Sequence, residues 1–84
     1  MRMVQKFGGT SLAEPRLLRR AAAIAAQAAQ NGQVAVVVSA QGDTTDRLIA
    51  QAAEVNPGPA ARELDMLLSA GEQMSAALLA MTLA

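Results

Sequence analysis

A five-residue run of alanine and valine, residues 34–38 (VAVVV), constrains the fold of this 84-residue chain more than any other feature. The run is too short for a helix, and β-branched residues favour extended backbone. Because the run contains no polar side chain to face water, we expect a strand that is buried on both faces, as in parallel sheets. Residues 1–7 predict a second strand with Val4 at its centre.

The segment between these strands, residues 12–30, has the apolar periodicity of a helix. Its predicted apolar face consists of Leu17, Ala21, Ile24 and Ala28. Ser11 can cap a helix, whereas Pro15 favours a start near residue 13 or 14, which puts the proline in the first turn. Strand, helix and strand at this spacing predict a βαβ unit with a right-handed crossover.

The second half of the chain predicts helices. One runs from residues 43–46 to about Val55, and residues 56–59 (NPGP) end it. Two more, residues 60–69 and 72–84, are expected on either side of a break or bend at residues 70–71, with Met66, Met74 and Met81 packed in the core. The predicted fold is α/β: a partial Rossmann-like αβα sandwich in which a βαβ unit is followed by three helices.

Composition excludes several classes of function. The seven basic and seven acidic side chains give no net charge, which argues against nucleic acid or an anionic membrane as the partner. Phe7 is the single aromatic residue, and cysteine and histidine are absent, so base stacking, disulfides and histidine chemistry are ruled out. We find no stretch of about 20 apolar residues and no leader pattern, and therefore expect a cytoplasmic location.

The end of the sequence carries an apolar helical pattern without a glycine cap or a basic last turn. Two parallel strands are also too few for an independent sheet. We therefore expect residues 1–84 to be the front of a longer protein, or a piece that needs a partner chain.

A glycine pair follows the first predicted strand, in residues 6–11 (KFGGTS). Gly8 and Gly9 can adopt backbone angles closed to other residues and allow a phosphate to approach the main chain. Lys6 would neutralise the charge on a transferring phosphoryl group, a reaction that needs positioning and electrostatics more than an acid and a base. The simpler interpretation is a plain strand-to-helix turn with a solvated lysine. The motif is not a P-loop.

A second polar loop, residues 39–45, follows the second strand and carries the hydroxyls of Ser39, Thr44 and Thr45. Ligands of open α/β sheets bind outside the carboxyl ends of the strands, where these two loops are expected to be neighbours. Capping by Asp43 or Thr44 explains one of the side chains, so Thr45 is the better ligand candidate. Glu72 is a candidate for binding a substrate ammonium group, unless it only complements the dipole of a helix that starts there.

Three segments together resemble the beginning of the aspartate kinases, which belong to the amino-acid kinase family. They are residues 4–11 (VQKFGGTS), 36–46 (VVVSAQGDTTD) and 63–73 (ELDMLLSAGEQ). The motifs occur in the family's order and at its spacing, and they span nearly the whole chain. The first of them separates aspartate kinases from most other amino-acid kinases.

The resemblance implies transfer of the ATP γ-phosphoryl group to the side-chain carboxylate of L-aspartate, which opens the routes to lysine, threonine, methionine and diaminopimelate. The residues that it assigns to the ATP phosphate site are Lys6, Phe7, Gly8 and Gly9. Lys6 would stabilise the transferring group. Ser39 and Thr45 are implied as aspartate contacts, and Glu72 as the carboxylate near the substrate amino group. Mg²⁺ would accompany ATP, and no residue here is identified as its ligand.

The resemblance makes residues 1–84 the N-terminal part of a catalytic domain, without the family's regulatory ACT domains. A full-length parent is expected to be a homo-oligomer, and this chain alone is expected to be inactive. Gln41 departs from the family, which commonly has methionine there. Two alternatives stay open: a noncatalytic piece that docks on a partner chain, and another amino-acid kinase that acts on a different carboxylate or carbamate.

Overall fold

A computed structural model describes residues 1–84 and contains two strands, three α-helices and one 3₁₀ helix. They are β1 (Arg2–Phe7), the 3₁₀ helix (Gly9–Leu12), α1 (Pro15–Ala29), β2 (Gln33–Val38), α2 (Thr44–Val55) and α3 (Ala61–Leu83). β1 and β2 pair in parallel, and Phe7 lies opposite Val38 at their carboxyl ends. The predicted α/β class and βαβ unit are confirmed.

Helix α1 begins at Pro15, with Glu14 in the N-cap position. Proline is tolerated there because the first N–H groups of a helix have no intrahelical acceptor. The buried face consists of Leu18, Ala21, Ala22 and Ala25, whereas Ile24 is exposed. The predicted face was therefore partly wrong. Periodicity alone predicts which residues share a face, but α1 also packs against α3, and small alanines permit that close approach.

The core lies between one face of the sheet, α1 and α3. Its five buried members are Leu12, Leu18, Ala21, Ala22 and Leu79, and Phe7, Val36, Val38 and Leu78 pack against them. Leu12, at the end of the 3₁₀ helix, has no exposed surface. The segment that follows the glycine pair is thus anchored in the core of the chain.

The opposite face of the sheet is not covered. Residues alternate between exposed and half-buried along both strands, and Val4 and Val37 are exposed by 72% and 47%. The prediction that β2 is buried on both faces is wrong for this chain, because its helices cover one face only. An uninterrupted apolar strand is the pattern of a sheet with helices on both faces.

Helix α3 runs without interruption through Gly71, so two helices rather than three follow the βαβ unit. A glycine inside a helix costs about 1 kcal/mol relative to alanine, which packing can offset. Met66, Met74 and Met81 are exposed by 55–66% and are not core residues, contrary to expectation. Also contrary to expectation, α3 is long and apolar enough to cross a membrane. Helices packed inside globular domains meet the same criteria, and α3 packs against α1 and α2.

Candidate active site

The loops after β1 and β2 leave the sheet at the same edge and are joined by a backbone hydrogen bond. The Gly42 N–H donates to the Gly9 carbonyl over 2.9 Å. Parallel pairing in register brings the two strand ends side by side, with Phe7 opposite Val38. The sequence-based prediction that these loops are neighbours is confirmed.

The two glycines of the first loop serve different purposes, and neither has a positive φ. A Cβ atom on Gly9 would lie 2.6 Å from the Ala40 carbonyl oxygen, so only glycine allows the second loop to come this close. Gly8 has extended backbone, and a Cβ there would meet nothing within 4 Å. The expectation of unusual backbone angles was therefore wrong, whereas the space beside Gly8 leaves its main chain open to a ligand.

Lys6 is exposed and lies on the face of the sheet that no helix covers, opposite Val37. Its ammonium group takes part in neither of the two salt bridges and in no hydrogen bond of the chain. Phe7 faces the core instead. The lysine is thus available to an anion at the edge of the sheet, while Phe7 supports the turn from the other side.

The second loop is held by several contacts. Ala40 is buried, and the Gln41 side-chain amide donates to the Leu12 carbonyl over 2.7 Å. Gly42 has a φ of +49°, a conformation that favours glycine. Sequence reasoning did not assign a role to Gly42, although a glycine between a strand and a helix is a recognised turn signal. Ser39, one residue after β2, is half-buried.

At the start of α2, some polar side chains form contacts with other side chains and others form none. Asp43 holds the N-cap position without a capping bond, and its carboxylate pairs with Arg47 at 3.2 Å. Arg47 also donates to the Thr44 hydroxyl over 3.3 Å. The expectation that Asp43 or Thr44 caps the helix was wrong. Thr45 is exposed, and its hydroxyl makes no hydrogen bond within the chain, so it remains the available ligand candidate.

Helix α3 reaches the second loop at Gly71. A Cβ built on this buried glycine would lie 3.1 Å from Ala40 Cβ and 3.2 Å from Thr44 Cγ2. Glu72, the next residue, is exposed and forms no ion pair with another side chain. Because α3 begins at Ala61, Glu72 lies in the middle of the helix, and the dipole of a helix start does not explain it.

The three motifs therefore converge on the second loop, but the site is an open surface. The largest cavity, about 370 Å³, lies between α2 and α3, away from the strand ends, and is lined by residues such as Ala52, Asn56 and Leu64. A smaller cavity of about 210 Å³ touches Phe7 and Ser11. Neither contains Lys6, Thr45 or Glu72. The chain has no cluster of three or more acidic residues that could hold a metal ion.

Comparisons with known proteins give a consistent result. The amino acid kinase family model matches residues 1–84. The aspartokinases of Mycobacterium tuberculosis and Corynebacterium glutamicum are 54% and 52% identical over 82 residues, which is 96% of this chain. A crystal structure of aspartate kinase from Synechocystis superposes with a TM-score of 0.92 at 46% identity, over 96% of this chain and 14% of that one. The chain spans about a fifth of the length of these curated relatives.

Proposed function

The chain belongs to the amino acid kinase family, and from this membership we propose that it supplies the phosphate-side and acceptor-side loops of an aspartate kinase. The observation that carries the proposal is the contact between the loops. Gly9, Gly42 and Gly71 meet around Ala40, so the loops that we assign to phosphate binding and to aspartate binding lie together at one edge of the sheet.

On the phosphate side, the open space beside Gly8 and the unpaired ammonium of Lys6 suit a nucleoside triphosphate. Backbone N–H groups can approach phosphate oxygens where no Cβ intervenes. In our proposal Lys6 stabilises charge on the transferring phosphoryl group, a contribution made mainly in the transition state. Mg²⁺ would enter with ATP, since this chain alone has no acidic cluster to hold it.

On the acceptor side, we assign Ser39 and Thr45 to the substrate carboxylates and Glu72 to its ammonium group. The free hydroxyl of Thr45 lies in the first turn of α2, where the helix dipole favours an anion. Glu72 is exposed and has no cationic partner within the chain, so its carboxylate is free to bind a cation. L-Aspartate carries both kinds of charge.

In the proposed reaction, a side-chain carboxylate oxygen of L-aspartate attacks the γ-phosphorus of ATP. A new P–O bond forms while the bond to the β,γ-bridging oxygen breaks, which gives 4-phospho-L-aspartate and ADP. The carboxylate is already ionised near pH 7, so no general base is needed. This reaction would open the routes to lysine, threonine, methionine and diaminopimelate in the cytoplasm, within a homo-oligomeric enzyme.

A noncatalytic role is the second candidate function, and the uncovered apolar surface favours it. Val4, Val37 and the three exposed methionines of α3 leave large apolar side chains without a partner in the chain. Where such side chains form a contiguous exposed patch, the patch marks an interaction site. In that case the chain would dock on a partner chain and contribute no catalysis.

A chimera tests the proposed function. This chain would replace its matching segment in the Corynebacterium glutamicum aspartokinase, to which it is 52% identical. We expect ATP-dependent phosphorylation of L-aspartate. The assay measures the release of ADP and traps the acyl phosphate with hydroxylamine. The panel would include L-glutamate, N-acetyl-L-glutamate and carbamate, which separate aspartate kinases from other members of the family.

The isolated 84-residue chain is the matched control, and we expect it to show no turnover of ATP and aspartate. Its candidate site is an open surface and does not enclose a ligand, so water is not excluded from a bound substrate. An inactive chimera that is folded and of the host's oligomeric state would contradict the kinase assignment and favour the docking role. Turnover by the isolated chain would contradict the expected inactivity.

A further inference from the structure

Gly71 lies in the interior of α3, where glycine is an unfavourable residue. The helix runs from Ala61 to Leu83 without interruption, and Gly71 is one of its buried residues. A glycine inside a helix is less favourable than alanine, because its backbone loses more freedom on folding. Its φ is not positive, so the backbone conformation does not require glycine. The reason for a glycine at this position must therefore be what packs against the helix.

Two parts of the candidate site pack against Gly71. A Cβ atom built on it would lie 3.1 Å from Ala40 Cβ, in the loop after β2, and 3.2 Å from Thr44 Cγ2, in the first turn of α2. At these distances the neighbouring atoms would have to give way by a few tenths of an ångström. The lack of a side chain at position 71 therefore sets how closely α3 approaches the loop and the start of α2.

This contact lies directly beside the proposed acceptor contacts. Thr44 precedes Thr45 in the sequence, and Gly71 precedes Glu72. Adjacent Cα atoms are about 3.8 Å apart, so each proposed ligand residue moves with the neighbour that forms the contact. The separation of α2 and α3 at Gly71 consequently sets the distance between the hydroxyl assigned to a substrate carboxylate and the carboxylate assigned to its ammonium group. A closer approach of the helices fits a shorter amino acid.

Both sides of the contact are held by further interactions. In α3, the completely buried Ser75 donates its hydroxyl to the Gly71 carbonyl over 3.4 Å, and Leu79 belongs to the core. At the start of α2, the Thr44 hydroxyl accepts from Arg47, while its methyl group faces Gly71. Close-packed protein interiors transmit strain. We therefore expect an added methyl group at position 71 to change the spacing of the two helices.

We propose that Gly71 determines acceptor specificity: it lets Glu72 lie close enough to Thr45 for the site to fit an α-amino dicarboxylic acid of the length of aspartate and to disfavour one with an additional methylene group. The inference rests on the proposed function, from which it takes the acceptor contacts. Gly71 is buried against the loop and is a positioning residue, because it acts only through the distance between α2 and α3. Small displacements of binding groups are costly where a bound geometry must be exact.

Gly71→Ala in the chimera tests this proposal, because it adds only the Cβ atom. We expect the aspartate KM to rise by about threefold to tenfold, the effect of weakening one hydrogen bond, and the ATP KM to stay within about twofold. L-Glutamate would be tested as a substrate and as a competitive inhibitor. The preference for L-aspartate over L-glutamate should fall, because a wider site weakens the contacts of the shorter acid. An unchanged aspartate KM would overturn the proposal.

Compensating substitutions separate an effect of spacing from other effects of the added methyl group. Thr44→Ser removes Cγ2 and keeps the hydroxyl that accepts from Arg47, and Ala40→Gly removes the other atom in contact. In a chimera that carries both, Gly71→Ala has room for its Cβ. Relative to that background it should change the aspartate KM by no more than about twofold. An equal rise in KM in both backgrounds would overturn the proposal.

Ala70→Ser is the matched control, since Ala70 is exposed and the substitution adds one non-hydrogen atom to α3 beside Gly71. It should leave the KM of both substrates and the preference for aspartate unchanged. A lowered melting temperature of Gly71→Ala with unchanged kinetics would also overturn the proposal, because it indicates a role in stability alone.

Melting temperatures separate failure of this inference from failure of the proposed function. The shift caused by Gly71→Ala should be more negative in the parent chimera than in the background with Ala40→Gly and Thr44→Ser, because residues in contact are coupled energetically. This comparison needs no activity. Equal shifts in the two backgrounds would overturn the inference whether or not the chimera is active. Activity of the unmodified chimera, measured separately, decides the proposed function.

Discussion

Substitution of Gly9 by alanine is the sharpest test of how the candidate site is assembled. The new Cβ would lie 2.6 Å from the Ala40 carbonyl oxygen, and real Cβ atoms essentially never come within 3.0 Å of such a neighbour. The carbonyl oxygen is a backbone atom and the Cβ is bonded directly to the backbone, so no side-chain rotation can relieve the clash. The two loops must therefore move apart, which also strains the Gly42 bond to the Gly9 carbonyl.

The cost of this movement can be worked from its parts. Forcing one extra carbon into a packed contact costs about 1–3 kcal/mol. Loss of the hydrogen bond between Gly42 and Gly9 adds about 1 kcal/mol. We therefore expect Gly9→Ala to lower the free energy of unfolding by about 2–4 kcal/mol.

Gly8→Ala is the matched control, one residue away. Its Cβ would meet nothing within 4 Å, and its φ of −76° and ψ of 170° are open to alanine. We expect no loss of unfolding free energy and a gain of up to about 1 kcal/mol, because alanine has fewer conformations than glycine in the unfolded chain. Because the methyl group would fill the space proposed for a phosphate, the ATP KM of the chimera should nevertheless rise.

Urea unfolding of the corresponding chimeras, followed by far-ultraviolet circular dichroism, measures the stability of both variants. Steady-state kinetics of the corresponding chimeras measure their effect on the two substrates. Equal stability of Gly9→Ala and Gly8→Ala would refute the reasoning, because it would mean that the loops do not touch at Gly9. An unchanged ATP KM in Gly8→Ala would contradict the phosphate site at that glycine.

The remaining predictions concern charged and hydroxyl side chains of the site, assayed in the chimera. Lys6→Ala should lower kcat by about 10²- to 10³-fold, as expected for a group that stabilises transition-state charge. The control is Arg19→Ala, which removes an exposed cation from α1. An unaltered kcat in Lys6→Ala would show that Lys6 is only a surface lysine. Thr45→Ala and Glu72→Ala should each raise the aspartate KM more than the ATP KM. A shift in the ATP KM alone would show that the division of the site into two halves is wrong.

Local patterns predicted most of the elements. The β-branched run at residues 34–38 and the helical periodicity before it predicted the βαβ unit, because both signals depend on near neighbours in sequence. The parallel arrangement then predicted that residues 6–11 and 39–45 meet at one edge. Phosphate chemistry at Lys6 and Gly8 also follows from residue type and position, and it stays a prediction.

Other features depended on which surfaces meet. Gly71 does not break α3, because a glycine in a helix can serve close packing against Ala40 as well as end the helix. Glu72 consequently lies mid-helix, and Met66 and Met74 face solvent rather than the core. A periodic apolar stripe tells which residues share a face but not what that face contacts.

The sequence by itself determined the order of the elements, the parallel strand pair and the residue types available for phosphate and amino-acid chemistry, because these follow from local propensity and spacing. Only the tertiary structure decided that position 9 requires glycine because the Ala40 carbonyl lies so close to it, and not because of its backbone angles. Only the tertiary structure decided that Gln41 bonds to Leu12. Both depend on atoms about 30 residues apart in the chain. Such contacts are set by how the helices and loops pack, which no local pattern encodes.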